Sequence, residues 1–200
     1  MVQSVELLLT PDAEAAVTAQ WSMLADAGLP SQARHTGATN RPHVTLAVAR
    51  ALDVDQESAV TVAVAGALPF PLRVGGLLVF GPGPFILCRL VVPSAALLAL
   101  QQRVVAALGP AASDPTGHQA PGAWTPHVTL ARRLTAEQLA TAVTLLSPVP
   151  DLPGAAAQVR RWDGEAKVAW TVAGTTGSDR PGADEDADQV GHHDGNGAQQ

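Results

Sequence analysis

Two histidines and two threonines stand in identical settings in this chain. Pro42-His43-Val44-Thr45-Leu46 returns unchanged, eighty-four residues later, as Pro126-His127-Val128-Thr129-Leu130. Average residue usage gives such a repeat by chance in roughly one sequence of this length in a hundred. Imidazole is the side chain best suited to moving protons near neutral pH. A pair can divide the work: a neutral ring takes a proton from the attacking group, and an imidazolium gives one to the leaving oxygen. Threonine hydroxyls two residues along can donate to oxygens that gain charge in the transition state. A phosphodiester, above all a strained cyclic one, fits this equipment. In-line displacement wants a base and an acid on opposite sides, with donors to the equatorial oxygens between them. Arg41, two residues before His43, is a candidate to neutralise a phosphate. Arg133, six residues after His127, is another, on condition that the strand stays regular that far.

Other chemistries find less support. Two histidines can bind a metal, but a zinc site normally needs a third or fourth ligand. No HExxH, CxxC or close His-x-His is present; His118 with Asp114 lies in a loop before the second copy, and His192 and His193 lie near the end of the chain. No metal is expected. There is no GxGxxG, no Walker loop and no G-x-S-x-G elbow, so no cofactor is expected either. A repeat kept for packing alone would preserve Val44, Leu46, Val128 and Leu130 and have little need of the histidines and threonines between them. That purely structural reading places the two imidazoles in different cores or on opposite surfaces.

Composition narrows the partners. The chain has 200 residues, 46% of them hydrophobic, enough for one domain or two small lobes that share a core. Tyr is absent, and there are only 3 Phe and 4 Trp, which argues against a surface of many stacked aromatics. Net charge is −6, but residues 174–200 carry six acidic side chains and one Arg, leaving −1 on residues 1–173. A nearly neutral body does not suit salt-dependent binding to a long nucleic-acid backbone, and it leaves room for a small phosphorylated ligand or an RNA end. Cys88, the only cysteine, lies in the apolar run Phe85-Ile86-Leu87-Cys88 and reads as a buried structural thiol. Met1 to Glu6 lacks the basic flank and apolar stretch of a signal peptide, and no segment approaches eighteen consecutive apolar residues. The cytoplasm is the expected compartment, with no membrane partner and a monomeric state.

Positioning the repeated residues falls to a regular series of elements. Val5–Leu9 predicts a strand. Thr10-Pro11-Asp12 then caps a helix to about Ala27, with Ala13, Ala16, Val17, Trp21 and Leu24 inward. After a polar loop, Pro42–Ala49 predicts the first repeat strand, with Val44 and Leu46 on one face and His43 and Thr45 on the other. A short helix is expected after Asp55, then a hairpin of Phe70–Phe80 and Phe85–Val92, with Gly75-Gly76 permitting a bulge. Pro93-Ser94 opens a helix to Leu108, a loop covers 111–123, and the second repeat strand follows. Thr135 with Gln138 predicts a capping box for the next helix, and Ala157–Trp162 with Lys167–Ala173 predicts a closing hairpin through Asp163-Gly164. Each repeat strand follows a helix, so an internal duplication is expected: two α+β lobes sharing a cleft, spanning residues 1–173, with 174–200 as a disordered acidic tail.

In its two tetrads, His43-Val44-Thr45-Leu46 and His127-Val128-Thr129-Leu130, the chain resembles the 2H phosphoesterase superfamily. Within it, the likeness is to the 2'-5' RNA ligase or RNA 2',3'-cyclic phosphodiesterase-like group. The resemblance implies a bilobal α+β fold, with two antiparallel or mixed sheets lining a central cleft and helices outside. It implies metal-independent hydrolysis of a 2',3'-cyclic phosphate on an RNA end or small nucleotide, with 2'-5' RNA ligation as a related activity. His43 and His127 would be the acid–base pair, and Thr45 and Thr129 would hold the phosphate. Trp124, three residues before His127, is the candidate to stack on a base. A non-catalytic module that binds a phosphorylated ligand or RNA end in the same cleft is the alternative.

Overall fold

The computed structural model describes residues 2–113 and 119–174. The order is β1 (Gln3–Leu9), α1 (Pro11–Asp26), β2 (His43–Ala49), α2 (Val54–Val64), β3 (Phe70–Phe80), β4 (Phe85–Val91) and α3 (Ala95–Leu108). It continues through β5 (Ala112–Ser113), β6 (His127–Leu134), α4 (Ala136–Leu146), β7 (Leu152–Asp163) and β8 (Val168–Gly174). The expected acidic tail beyond Gly174 lies outside the described residues.

All eight strands belong to one sheet, ordered β5-β2-β1-β7-β3-β4-β6 with β8 also on β7. Every pairing is antiparallel. Of the expected two antiparallel or mixed sheets, the antiparallel pairing holds, and the number is corrected to one. The reason is the length of β7: Leu152–Ala156 pairs with β3, while Ala156–Asp163 pairs with β1. One strand thus hydrogen-bonds to both halves of the chain.

The strand order has an internal pseudo-symmetry. Exchanging β1 with β4, β2 with β6 and β3 with β7 turns β2-β1-β7-β3-β4-β6 into its own reverse. Helices follow the same exchange crosswise: α1 packs on β6 and α3 on β2. Val44, Leu46, Val128 and Leu130 are all buried and join residues such as Val17, Leu24, Leu100 and Val104 in one apolar cluster.

Local chemistry explains where the elements begin. Thr10 occupies the N-cap of α1, but its hydroxyl accepts the Ala155 N–H (3.3 Å) instead of a helix N–H, tying the helix start to β7. Ala16 is half-buried where Ala13, Val17, Trp21 and Leu24 are buried. α2 starts at Val54, earlier than expected, because Asp53 forms a capping box with Gln56. Thr135 and Gln138 form the expected box on α4, and the Ser94 hydroxyl accepts the Leu97 N–H at the start of α3. The register shift between Val74 and Leu77 is the expected Gly75-Gly76 bulge. Arg89, fully buried, fills it by donating to the carbonyls of Gly75 (2.6 Å), Val74 (3.2 Å) and Pro150 (2.6 Å). β7 begins five residues before the expected Ala157, through Pro153 and Gly154.

Gly154 sits where α1 presses on β7: a Cβ there would lie 2.6 Å from the Ala13 Cβ. Gly154→Ala should lower stability by about 1–3 kcal/mol through overpacking. In urea denaturation, Gly154→Ala with Ala13→Gly should lose less than the sum of the two single changes, because they relieve one contact. Additive losses would place the strain elsewhere.

Candidate active site

The repeated pentapeptides occupy β2 and β6, at the two ends of the six-strand path, yet these strands come into contact because the sheet curls. The burial pattern repeats as well. His43, Thr45, His127 and Thr129 are half-buried, while Val44, Leu46, Val128 and Leu130 are buried. Each pair of apolar side chains anchors its strand in the core and presents His and Thr on the other face.

The two imidazoles are held in the same way. Nδ1 of His43 lies 2.7 Å from the Arg41 carbonyl, and Nδ1 of His127 lies 2.7 Å from the Thr125 carbonyl. A carbonyl only accepts, so Nδ1 carries the proton and Nε2 is left as the atom that gains or loses one. Both accepting residues precede a proline, Pro42 or Pro126, which restricts them to extended backbone. The sequence Pro-His therefore sets the tautomer as well as the strand entry.

Around Nε2 the halves differ. Nε2 of His43 is 3.5 Å from Oε1 of Glu6, which is 4% exposed. The Ser4 hydroxyl donates to that same Oε1 (2.7 Å), and Arg160 donates to Oε2 through Nε and Nη2 (2.8 Å each). The His127 ring packs against Phe80, with centroids 4.8 Å apart and planes at 58°. The Cys88 thiol lies 3.9 Å from the Thr129 hydroxyl, to which it donates. Burial pushes that thiol up to about 11.

The threonine backbones are fixed across the halves. The Trp21 indole N–H, from α1, donates to the Thr129 carbonyl (2.9 Å), and the Trp124 indole N–H donates to the Thr45 carbonyl (3.2 Å). Trp124 therefore stands beside the first repeat strand, half-buried against the core, with its N–H engaged. Gln101, buried on α3, adds a third bridge from its amide to the Gln119 carbonyl (2.7 Å) and the Leu46 carbonyl (3.4 Å).

The two arginines expected at the phosphate are placed differently. Arg41 sets Nε and Nη2 against Glu14 of α1 (2.8 and 2.6 Å), and it is its carbonyl that meets His43. Arg133 does not continue the face of His127. It takes φ 63°, the β4–β6 register shifts in this stretch, and Arg132 and Arg133 are both exposed before the buried Leu134. Asp114 and His118 lie outside the described residues, among which no group of three or more metal-ligating side chains occurs. Sequence reasoning passed over Glu6, Arg160, Phe80 and the bridging role of Trp21. Glu6 and Arg160 had a signal: each is a charge inside a strand whose neighbours are buried. Phe80 and Trp21 had none beyond their apolar character.

Comparison with known proteins places this geometry in context. The sequence model of the 2'-5' RNA ligase superfamily matches residues 7–166. No curated protein sequence matches the chain. Among solved structures, TT0787 of Thermus thermophilus is similar in fold, with TM-score 0.55 and 17% identity over 86% of this chain and 96% of that one. Usb1 of Kluyveromyces marxianus, solved with uridine monophosphate, gives 0.52 at 12% identity over 86% and 97%. LigT of E. coli, solved with 3'-AMP, gives 0.50 at 14% identity over 86% and 94%. No helix among the described residues is long and apolar enough to cross a membrane.

Two outcomes follow from the bridges and the thiol. Trp21→Phe and Trp124→Phe should each destabilise the protein by about 1–3 kcal/mol in urea unfolding, because each leaves a threonine carbonyl unpaired. Changes within about 0.3 kcal/mol would show that the bridges contribute nothing. The Cys88 thiol keeps its proton in the folded state above the value of 9.0 at which it ionises when unfolded. Its contribution is complete below pH 9.0 and is lost as pH rises toward about 11. Stability of wild type relative to Cys88→Ala should therefore fall by up to about 2 kcal/mol across that window.

Proposed function

The chain belongs to the 2'-5' RNA ligase superfamily, and from that premise we propose that it is a metal-independent cyclic phosphodiesterase. Its substrate would be a 2',3'-cyclic phosphate on an RNA end or a small nucleotide, opened to a 2'-phosphate. One observation carries the reading: two imidazoles, each fixed through Nδ1 by the carbonyl two residues earlier, sit on strands that the fold brings into contact. Nothing in packing requires that arrangement twice, and acid–base chemistry at one phosphorus does.

In this mechanism, Nε2 of His127 takes a proton from water as its oxygen bonds to phosphorus. Nε2 of His43 gives a proton to the ribose 3'-oxygen as its bond to phosphorus breaks. The products are a 2'-phosphate and a free 3'-hydroxyl, and exchange with solvent resets the two rings. Thr45 and Thr129 donate to the non-bridging oxygens. Their backbones are held by Trp124 and Trp21, which supports such a role through fixed geometry. Trp124 offers its ring face to a base, a function compatible with an engaged N–H. A 5'-hydroxyl in place of water would yield a 2'-5' linkage by the same steps. The catalytic unit comprises residues 1–173, acting as a monomer in the cytoplasm. Nucleotide ligands in Usb1 and LigT support a nucleotide substrate here.

Phosphorus NMR of a short RNA with a 2',3'-cyclic end, in EDTA, tests the reading. Wild type should convert it to the 2'-phosphate, and His43→Ala and His127→Ala should each be slower by about 10²- to 10⁴-fold. Unchanged rates in both variants would overturn the mechanism. No conversion of the RNA end or of small 2',3'-cyclic nucleotides would leave a ligand-binding module.

A further inference from the structure

The two halves of the site are related by topology but not by chemistry, and one pair of positions concentrates the difference. In the β1–β2 ladder Glu6 stands opposite Thr45; in the β4–β6 ladder the residue opposite Thr129 is Cys88. On the next strand inward, Arg160 of β7 stands opposite Glu6, and Leu78 of β3 stands opposite Cys88. The exchange that relates the halves thus sets the charged pair Glu6–Arg160 against the neutral pair Cys88–Leu78.

That contrast bears on why the charges are there. Desolvating a carboxylate and a guanidinium is expensive, and a well-packed apolar pair usually holds a core equally well or better. Here the same place in the duplicated fold is filled by a thiol and a leucine on the other side, so packing does not demand an ion pair. The geometry instead gives Glu6 two separate tasks. Its Oε2 accepts both Arg160 donors (2.8 Å each), while its Oε1 takes the Ser4 hydroxyl (2.7 Å) and faces Nε2 of His43 at 3.5 Å. One oxygen is taken up by Arg160, and the other is turned toward Nε2 of His43.

We propose that Glu6, anchored by Arg160, is the positioning residue that commits His43 to the acid role, leaving His127 as the base. The inference rests on the phosphodiesterase reading. An acid must carry a proton on Nε2, and a carboxylate oxygen beside that atom can accept from the N–H and fix the ring plane. A base needs a lone pair there; on His127 the Phe80 ring packs against the imidazole, and the Cys88 thiol sits on the adjoining threonine. Arg41, beside His43, is paired with Glu14, and Arg132, on the strand of His127, is exposed. The substrate is thereby oriented, with its leaving oxygen over the Glu6–Arg160 side and the attacking water over the Phe80 side.

A leaving group that needs no proton separates this role from a merely structural one. The two substrates are a 2',3'-cyclic nucleotide, whose ribose oxygen leaves poorly, and thymidine 3'-(p-nitrophenyl phosphate), whose nitrophenolate leaves unaided. Glu6→Gln should lower kcat on the cyclic substrate by about tenfold or more, a share of the 10²- to 10⁴-fold due to proton transfer. KM should stay within about twofold, and the nitrophenyl ester should lose less than about twofold. His43→Ala should show the same split more strongly, and His127→Ala should be slow on both. Because Glu6→Gln strands Arg160, Glu6→Gln/Arg160→Leu is the second variant, with no unpaired buried charge, and the same split is expected of it. Equal losses on both substrates, or none on either, would overturn the role of Glu6 while leaving the phosphodiesterase intact. A wild type inert on both substrates would overturn the phosphodiesterase reading itself, and Glu6 with it.

Discussion

A single strand of 12 residues, β7, hydrogen-bonds to both halves of this protein, and the rest of the architecture depends on that pairing. Because β1 and β3 attach to the same strand, the two halves of the chain share one continuous sheet. That sheet curls until its distant members β2 and β6 meet. The helices then cross over, α1 to β6 and α3 to β2, so neither half completes its core alone. Two pentapeptides separated by eighty-four residues come together as a consequence of strand order. The indole bridges from Trp21 and Trp124 refine the arrangement by fixing the carbonyls of Thr129 and Thr45.

Symmetry of backbone with divergence of side chains is a general route to acid–base sites, because the two groups must be alike in kind and opposite in protonation. Identical carbonyl contacts make the rings alike here, since each Pro-His unit presents Nε2 outward. What makes them differ is the neighbouring strand, with Glu6 on one side and Cys88 on the other. The repeated motif alone carries no such distinction. Its copies are identical from proline to leucine, and the asymmetry enters through residues scattered over β1, β3, β4 and β7.

Most of the fold was legible because local rules and the global structure agree. The capping box at Thr135, the Gly75-Gly76 bulge and the alternation in both repeat strands are properties of a few adjacent residues, and all are present. The failures come where distant contacts override local signals. Pro153 and Gly154 precede the strand expected from Ala157, yet they extend β7, where a side chain at 154 would collide with Ala13. β5 is two residues long, too short for any periodicity to show. The parity argument for Arg133 assumed a regular strand and fails at its left-handed turn. In the candidate site, the histidines and threonines were visible through repetition, a signal within the sequence. Glu6 and Arg160 lie 154 residues apart and acquire their meaning only from the sheet register.

Charge pairing bears on what kind of anion such a site would hold. Arg41, Arg73, Arg160 and Arg161 are engaged by Glu14, Asp151, Glu6 and Glu57, and Arg89 is wrapped by backbone carbonyls. Arg161 is further committed, lying 4.7 Å from the centre of the Trp170 ring while donating to the Gln3 and Leu52 oxygens. A groove that tracks a long phosphate backbone needs several cations free to exchange counterions. Here these five arginines are already engaged within the fold. Under the proposed function, a phosphate at β2 and β6 would be held by imidazoles, hydroxyls and fixed dipoles, which suffice for one phosphodiester in a confined place. Under that function, a body with net charge −1 over residues 1–173 would recognise the reacting group rather than the polymer behind it.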